Sequence, residues 1–111
     1  MSASSSPGLL ALLEQASAGL GDVQATVAHG CDAVAVGERA YALATPAGRI
    51  GVRLPDWDLF AAAYELPGSG PLLVDGDRIG HWVLLPEAIE ADGAALGEWL
   101  RQAHALTASR V

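Results

Sequence analysis

The spacing of apolar residues changes along this chain, and each spacing predicts a different element. Near the N-terminus, apolar residues recur three or four positions apart, at Leu9, Leu12, Leu13, Ala16 and Leu20. This is the period of one helix face. Ser6 supplies a capping hydroxyl and Pro7 suits the first helical position, while Gly19 and Gly21 mark the end. The pattern therefore predicts a first helix of about three turns.

From Val23 onward the apolar period is two, which is typical of β-strands. The alternation predicts four strands, at residues 23–28, 33–36, 41–45 and 49–54. The link Gly37-Glu38 has glycine first, which fits a tight type II′ hairpin turn. In the third strand, one face is expected to comprise Tyr41, Leu43 and Thr45. These strands, joined by short turns, indicate an antiparallel meander.

A second helix is predicted after Pro55, with an aromatic face made of Trp57, Phe60, Ala61 and Tyr64. Because aromatic rings bury large apolar areas, this helix is expected to be a central packing element. A loop at residues 66–71, a small hairpin or irregular loop at 72–79 and a strand at 81–85 follow. A short turn is expected at 87–91. Asp92 is expected to cap a last helix, whose apolar face comprises Leu96, Trp99, Leu100, Ala103 and Leu106.

This order of elements predicts an α+β fold, in which an antiparallel sheet meander packs against an N-terminal helix, a central helix and a C-terminal helix. The chain has 111 residues, which suits one domain. Residues 1–6 are expected to be a disordered tail, and residues 7–111 a single domain. The three tryptophans lie in three different elements, and each is expected to contribute a ring to a shared core; stacking on a base or ligand is the alternative.

Charge and cysteine content narrow the classes of function. The net charge is -7 and the pI is about 4.6, and all six basic residues are arginines. An acidic domain repels the nucleic-acid backbone and gains nothing from an anionic membrane, so both partners are disfavoured. Cys31 is the only cysteine, which rules out an internal disulfide. With no signal peptide or apolar span of about 20 residues, a cytoplasmic protein is expected.

Three segments together resemble a known family of small bacterial domains. They are Gly37–Ala42, Gly48–Pro55 and His81–Pro86, followed by the closing amphipathic helix. In this order they resemble the TfoX N-terminal-like and MmcQ/YjbR-like domains, with Tyr41 where the family often has phenylalanine and Arg53 where it often has lysine. The resemblance implies the same α+β fold. It also implies a role in DNA binding or competence regulation, which has been described for some relatives.

The strongest candidate site is a patch of arginines on the sheet. Arg49 and Arg53 are expected to share the polar face of the fourth strand, and Arg39, on the neighbouring strand, to join them. Guanidinium groups bind carboxylates and phosphates through paired hydrogen bonds, so the patch predicts an anion site. The alternative is that these arginines are solvated and pair with the many carboxylates of the chain.

Other reactive residues give weaker signals. Cys31 with His29 is the only nearby pair of nucleophile and base, but Cys31 is more typical of a small buried filler. Asp75, Asp77 and His81 are close in sequence, yet Asp75-Gly76 is also a standard turn pair. His104 is expected to cap or pack beside the last helix. We therefore assign no catalytic residue, no metal site and no cofactor.

These observations favour a non-enzymatic module that binds another protein or a small acidic ligand through the sheet face around Arg49 and Arg53. The alternative, from a different class, is a nucleic-acid-binding or regulatory protein, as the family resemblance implies. The sheet edges leave the oligomeric state open, a homodimer included.

Overall fold

Helices pack against one antiparallel sheet, which confirms the predicted α+β class. The computed structural model describes residues 7–45 and 47–108; the predicted tail and the Ser6 cap lie outside them. Its strands are β1 (Val23–Ala28), β2 (Cys31–Val36), β3 (Arg39–Ala44), β4 (Ile50–Arg53), β5 (Gly70–Val74) and β6 (Asp77–Leu84). Neighbouring strands are antiparallel, in the order β1-β2-β3-β4-β6-β5. Its helices are α1 (Pro7–Ala16), α2 (Trp57–Tyr64), a 3₁₀ helix (Glu87–Ala91) and α3 (Gly93–Ala108).

The two faces of the sheet differ in what covers them. α1 and α3 contact the central strands β2 and β3, and the core between them includes Leu13, Val34, Ile50, Val52 and Leu100. We call this side the helical face. The other side, the open face, has a smaller buried cluster made of Cys31, Ala33, Leu43, Leu72 and Trp82. Burial of Cys31 in this cluster confirms its prediction as a small filler.

The ends of the helices agree with the sequence signals in part. Asp92 caps α3 as predicted, because its carboxylate accepts a hydrogen bond from the backbone N–H of Ala95 at 3.1 Å. Asp56, directly after Pro55, caps α2, because its carboxylate accepts a hydrogen bond from the backbone N–H of Leu59 at 3.1 Å. α1 ends at Ala16, so the prediction that the helix reaches Leu20 was wrong. None of the helices in the described residues is long and apolar enough to cross a membrane.

Tyr41 interrupts the alternation of β3. The register shifts between Val34 and Ala35, which pair with Ala42 and Ala40, so Tyr41 is an extra residue without a partner on β2. Such a bulge turns two successive side chains to the same side, and both Tyr41 and Ala42 belong to the core of the helical face. The prediction that Tyr41 shares a face with Leu43 was therefore wrong.

The bulge places the Tyr41 ring under α1 and α3. Its hydroxyl donates a hydrogen bond to Oγ of Ser17 at 2.6 Å, just after α1, and both side chains are buried. His104 of α3 packs edge-on against the ring, with ring centroids 5.1 Å apart. His104 also lies 2.6 Å, through Nε2, from the carbonyl oxygen of Gly21. Tyr41 thus joins the sheet to both covering helices, and His104 packs beside the apolar stripe of its own helix, α3, as predicted.

Tyr41 is expected to make the protein less stable in alkaline solution. Burial raises the pKa of Tyr41, although the hydrogen bond to Ser17 acts in the opposite direction. The unfolded chain therefore loses this proton first, and the free energy of unfolding should fall as the pH rises above about 10. Urea unfolding of Tyr41→Phe should show a smaller decline over that range. The matched variant Tyr64→Phe, on α2, should keep the decline; an equal loss in both variants would contradict this assignment.

The aromatic face of α2 is exposed at both ends, contrary to the sequence prediction, and only Phe60 is partly buried against the core. Trp57 is 79% exposed and Tyr64 is 38% exposed, whereas Ala63 is the buried residue of this helix. The reason is tertiary, because α1 and α3 already cover the central strands and α2 packs beside β6. Its rings contact each other, with centroids of Trp57 and Phe60 5.6 Å apart and of Phe60 and Tyr64 5.7 Å apart. Trp57 is therefore not part of a shared tryptophan core.

β5 and β6 form a longer hairpin than the sequence predicted. Asp75 and Gly76 both have positive φ, 53° and 85°, as a type I′ turn requires, so the turn interpretation of this pair is confirmed. After the turn, β6 is one continuous strand in which His81 has a φ of 68°. A residue in this left-handed region breaks the regular alternation, which explains why the pattern suggested two separate segments.

Candidate functional site

The open face is curled, and the curl creates a pocket. His29 lies in the turn between β1 and β2, yet its ring centroid is 5.7 Å from that of Trp82 on β6. In a flat sheet, three strand spacings of about 4.8 Å would separate β2 from β6. The contact therefore requires the β1–β2 hairpin to bend over the open face toward β6. The space left beneath the hairpin is the open-face pocket.

The open-face pocket has a volume of about 280 Å³ and combines charged, aromatic and small side chains. Its lining residues are Thr26, Val27, Ala28, His29, Glu38, Arg39, Ala40, Arg53 and Trp82. Trp82 is only 4% exposed, so the indole forms part of the floor. The small side chains of Ala28 and Ala40 leave room above it. The lining thus offers cationic groups beside an apolar surface.

Two of the three predicted arginines line this pocket. Arg39 begins β3 next to the Gly37-Glu38 turn, and Arg53 ends β4 directly opposite Trp82 on β6. Positive φ at Gly37 and not at Glu38 fits the predicted type II′ turn, which brings Arg39 to the pocket rim. The Arg53 guanidinium reaches Oγ1 of Thr107 on α3 at 3.4 Å. Arg39 and Arg53, on different strands, thus border one space.

Arg49 has a different role from the one predicted. Its guanidinium donates from Nη2 and Nε to the carbonyl oxygen of Leu85, at 2.9 Å and 3.3 Å, and from Nη2 to that of Gly68, at 2.8 Å. It therefore joins the start of β4 to the segments that flank β5 and β6. Arg49 does not line the open-face pocket. The expectation that it forms one patch with Arg39 and Arg53 is not met.

Within residues 7–45 and 47–108, no ion pair links Arg39 or Arg49 to a carboxylate. Among the described residues the one ion pair is between Arg101 and Glu98 on α3. Arg39 is exposed to solvent, and the Arg49 guanidinium bonds backbone carbonyl oxygens instead of a carboxylate. Glu38 also lines the pocket, without an ion pair to Arg39. A ligand with a negatively charged group would meet Arg39 without displacing an internal partner.

Sequence reasoning missed the other members of the pocket. Trp82 was assigned to a shared core, and His29 was considered only beside Cys31. One signal was present, since His29-Gly30 is a two-residue link between strands, and both residues have positive φ, 52° and 77°. No pattern in the sequence, however, gives the curl that brings this turn to Trp82.

The thiol of Cys31, next to the turn that carries His29, is not poised for reaction. The thiol of Cys31 is 3.7 Å from the backbone carbonyl oxygen of His29, not from its ring. Burial, and then the neighbouring carboxylate of Asp32, raises the pKa of Cys31. Because the thiolate is the nucleophilic form, this environment suppresses reactivity. Cys31 is therefore not an activated nucleophile in this structure.

Comparison with known proteins adds no relative. No protein-family model, curated protein or solved structure matches the chain. The resemblance to the TfoX N-terminal-like and MmcQ/YjbR-like domains therefore stays a prediction. What the open-face pocket does has to be argued from its own residues.

Proposed function

We propose that this protein is a non-enzymatic binding module whose ligand is a small acidic molecule held in the open-face pocket. The observation that carries the proposal is the position of Arg39 and Arg53, on separate strands, around one space beside Trp82. Each guanidinium presents a planar set of donors that matches a carboxylate or a phosphate. An acid bound there would be held from two sides.

The other residues that line the pocket determine which acidic molecules fit it best. Trp82 and the small residues Ala28 and Ala40 favour a ligand with a flat apolar part. Glu38, on the same rim, repels a second negative group nearby and accepts a hydrogen bond from a donor. The best fit is a molecule with one carboxylate and an aromatic ring. The proposed compartment is the cytoplasm, because a chain with a single cysteine has no internal disulfide.

The overall charge argues for a small ligand over nucleic acid. The chain carries -7, so the field around it opposes a long polyanion, whereas a small acid meets mainly the local field of the pocket. An open-face pocket of about 280 Å³ also suits a molecule of a few rings rather than a duplex. The DNA-binding role implied by the family resemblance is the alternative that the test below addresses.

Benzoate is the probe for this proposal, with uncharged benzamide as its isosteric control. In two-dimensional amide NMR, benzoate should shift the indole N–H signal of Trp82 with a dissociation constant of about 1 mM or lower. Benzamide should cause no saturable shift, because it lacks the negative charge. Arg39→Ala should weaken benzoate binding about tenfold or more, since a charge-assisted pair of hydrogen bonds is lost.

The matched control is Arg101→Ala, which makes the same change in net charge on α3, away from the pocket. It should leave benzoate binding within about twofold of the unmodified protein. Equal binding of benzoate and benzamide, or no effect of Arg39→Ala, would overturn the proposal. DNA binding that falls steeply between about 50 mM and about 200 mM salt, and that Arg39→Ala abolishes, would establish the alternative instead.

A further inference from the structure

The two outer strands of the sheet differ in how they are protected. β5 contains Pro71, which has no N–H to donate, and its pairing with β6 is irregular between Pro71 and Leu73. Both features discourage another strand from pairing there. β1, with the sequence Val-Gln-Ala-Thr-Val-Ala, has no proline, no bulge and no charged side chain. Its central residues from Gln24 to Val27 are exposed. The β1 edge is thus left open to pairing.

The turn that follows β1 determines which backbone groups face this edge. A type I′ turn at His29-Gly30 closes with hydrogen bonds between its flanking residues, here Ala28 and Cys31. The register is regular from there to Val23. Because bonded and non-bonded pairs alternate in an antiparallel ladder, Thr26 and Gln24 also bond to β2. The N–H and C=O groups of Val23, Ala25 and Val27 therefore point away from β2.

We infer that β1 pairs with β1 of a second copy of this chain, antiparallel, about a twofold axis at Ala25. This register places Ala25 opposite Ala25, and Val23 opposite Val27 of the second copy. All three outward residues then make bonded pairs, each of which exchanges two hydrogen bonds. Gln24 lies opposite Thr26 of the second copy. The result is a closed dimer with one sheet continuous across both protomers.

A second copy is favoured over another strand because β1 is self-complementary in this register. Valine meets valine, the two polar side chains meet each other, and the smallest residue of the outward set lies on the axis. The chain carries 13 acidic residues, none of them in β1. Two paired β1 strands therefore place no carboxylates opposite each other, although each molecule is negatively charged. The inference does not depend on the open-face pocket, since it uses the backbone of β1.

Sedimentation velocity over about 5 μM to about 500 μM protein tests for the dimer, since a single strand pair is a small interface with weak association. Ala25→Lys places two lysines directly opposite each other at the axis, and should raise the dimer dissociation constant about tenfold or more. The control is Leu73→Lys at the exposed position on β5, which should leave dimerisation unchanged. A monomer at every concentration, or equal effects of the two variants, would overturn the inference.

Cross-linking tests the register, in a Cys31→Ala background with diamide as the oxidant. Ala25→Cys places two thiols at positions whose Cα atoms are about 5.5 Å apart, within reach of a disulfide. With Val27→Cys, the two introduced thiols lie four residues apart along the strand direction, about 13 Å from each other. Disulfide dimers of Ala25→Cys alone would support the proposed axis. Faster cross-linking of Val27→Cys would contradict it, even if the protein were dimeric.

Discussion

Replacing Tyr41 with alanine is expected to lower the free energy of unfolding by about 3–5 kcal/mol, the range for removal of a large buried aromatic side chain. Tyr41 is fully buried and contacts Ser17 and His104, so the cavity would lie where the sheet meets α1 and α3. A loss of this size is a large part of the stability of a small domain. Equilibrium unfolding in urea, with the slope m checked for change, measures it.

Trp57→Ala is the matched comparison, because the sequence placed this larger ring in the core. At 79% exposure, its removal should change the free energy of unfolding by less than about 1 kcal/mol. If Tyr41→Ala does not fold, Tyr41→Phe keeps the test open. It leaves the buried Oγ of Ser17 without its donor, and should cost about 1–2 kcal/mol. If Trp57→Ala lowered the free energy of unfolding as much as Tyr41→Ala, the packing described for α2 would be contradicted.

Arg49→Met is expected to lower the free energy of unfolding by about 1.5–3 kcal/mol, the range for hydrogen bonds to charged groups. The change keeps an unbranched apolar side chain but removes the guanidinium that bonds the carbonyl oxygens of Leu85 and Gly68. Benzoate binding, measured on folded protein, should stay within about twofold of the unmodified chain. Thermal or urea unfolding measures the first effect, and the NMR titration measures the second.

The control for Arg49 is Arg78→Met, on the exposed part of β6. The side chain of Arg78 makes no hydrogen bond or ion pair with another described residue, so this variant should be close to neutral, within about 0.5 kcal/mol. The reverse result for Arg49→Met, normal stability with loss of benzoate binding, would restore Arg49 to the predicted arginine patch. It would also show that the open-face pocket is not the binding site.

The sequence predicted the kind of ligand that the candidate site would bind, but not all of the residues that form it. Three arginines on neighbouring predicted strands indicate an anion site from the sequence alone. Two of them, Arg39 and Arg53, line the pocket. Arg49 and Arg53 are four positions apart on one predicted strand, so the alternation of side chains places both on the same face of the sheet. They differ because Arg49 lies beside free carbonyl oxygens of Leu85 and Gly68, and those neighbours come from segments distant in the chain.

Most local elements of this protein follow from its sequence. Alternation predicted the first four strands, Asp92 the cap of α3, and Gly37-Glu38 and Asp75-Gly76 the turns, because each depends on backbone geometry within a few residues. Which apolar residues are buried, and where the arginines lie relative to one another, depends instead on tertiary packing. Two helices suffice to cover the central strands, which leaves Trp57 exposed. A bulge at Tyr41 and a sheet curled from His29 to Trp82 arise from contacts between distant segments, which no local period encodes.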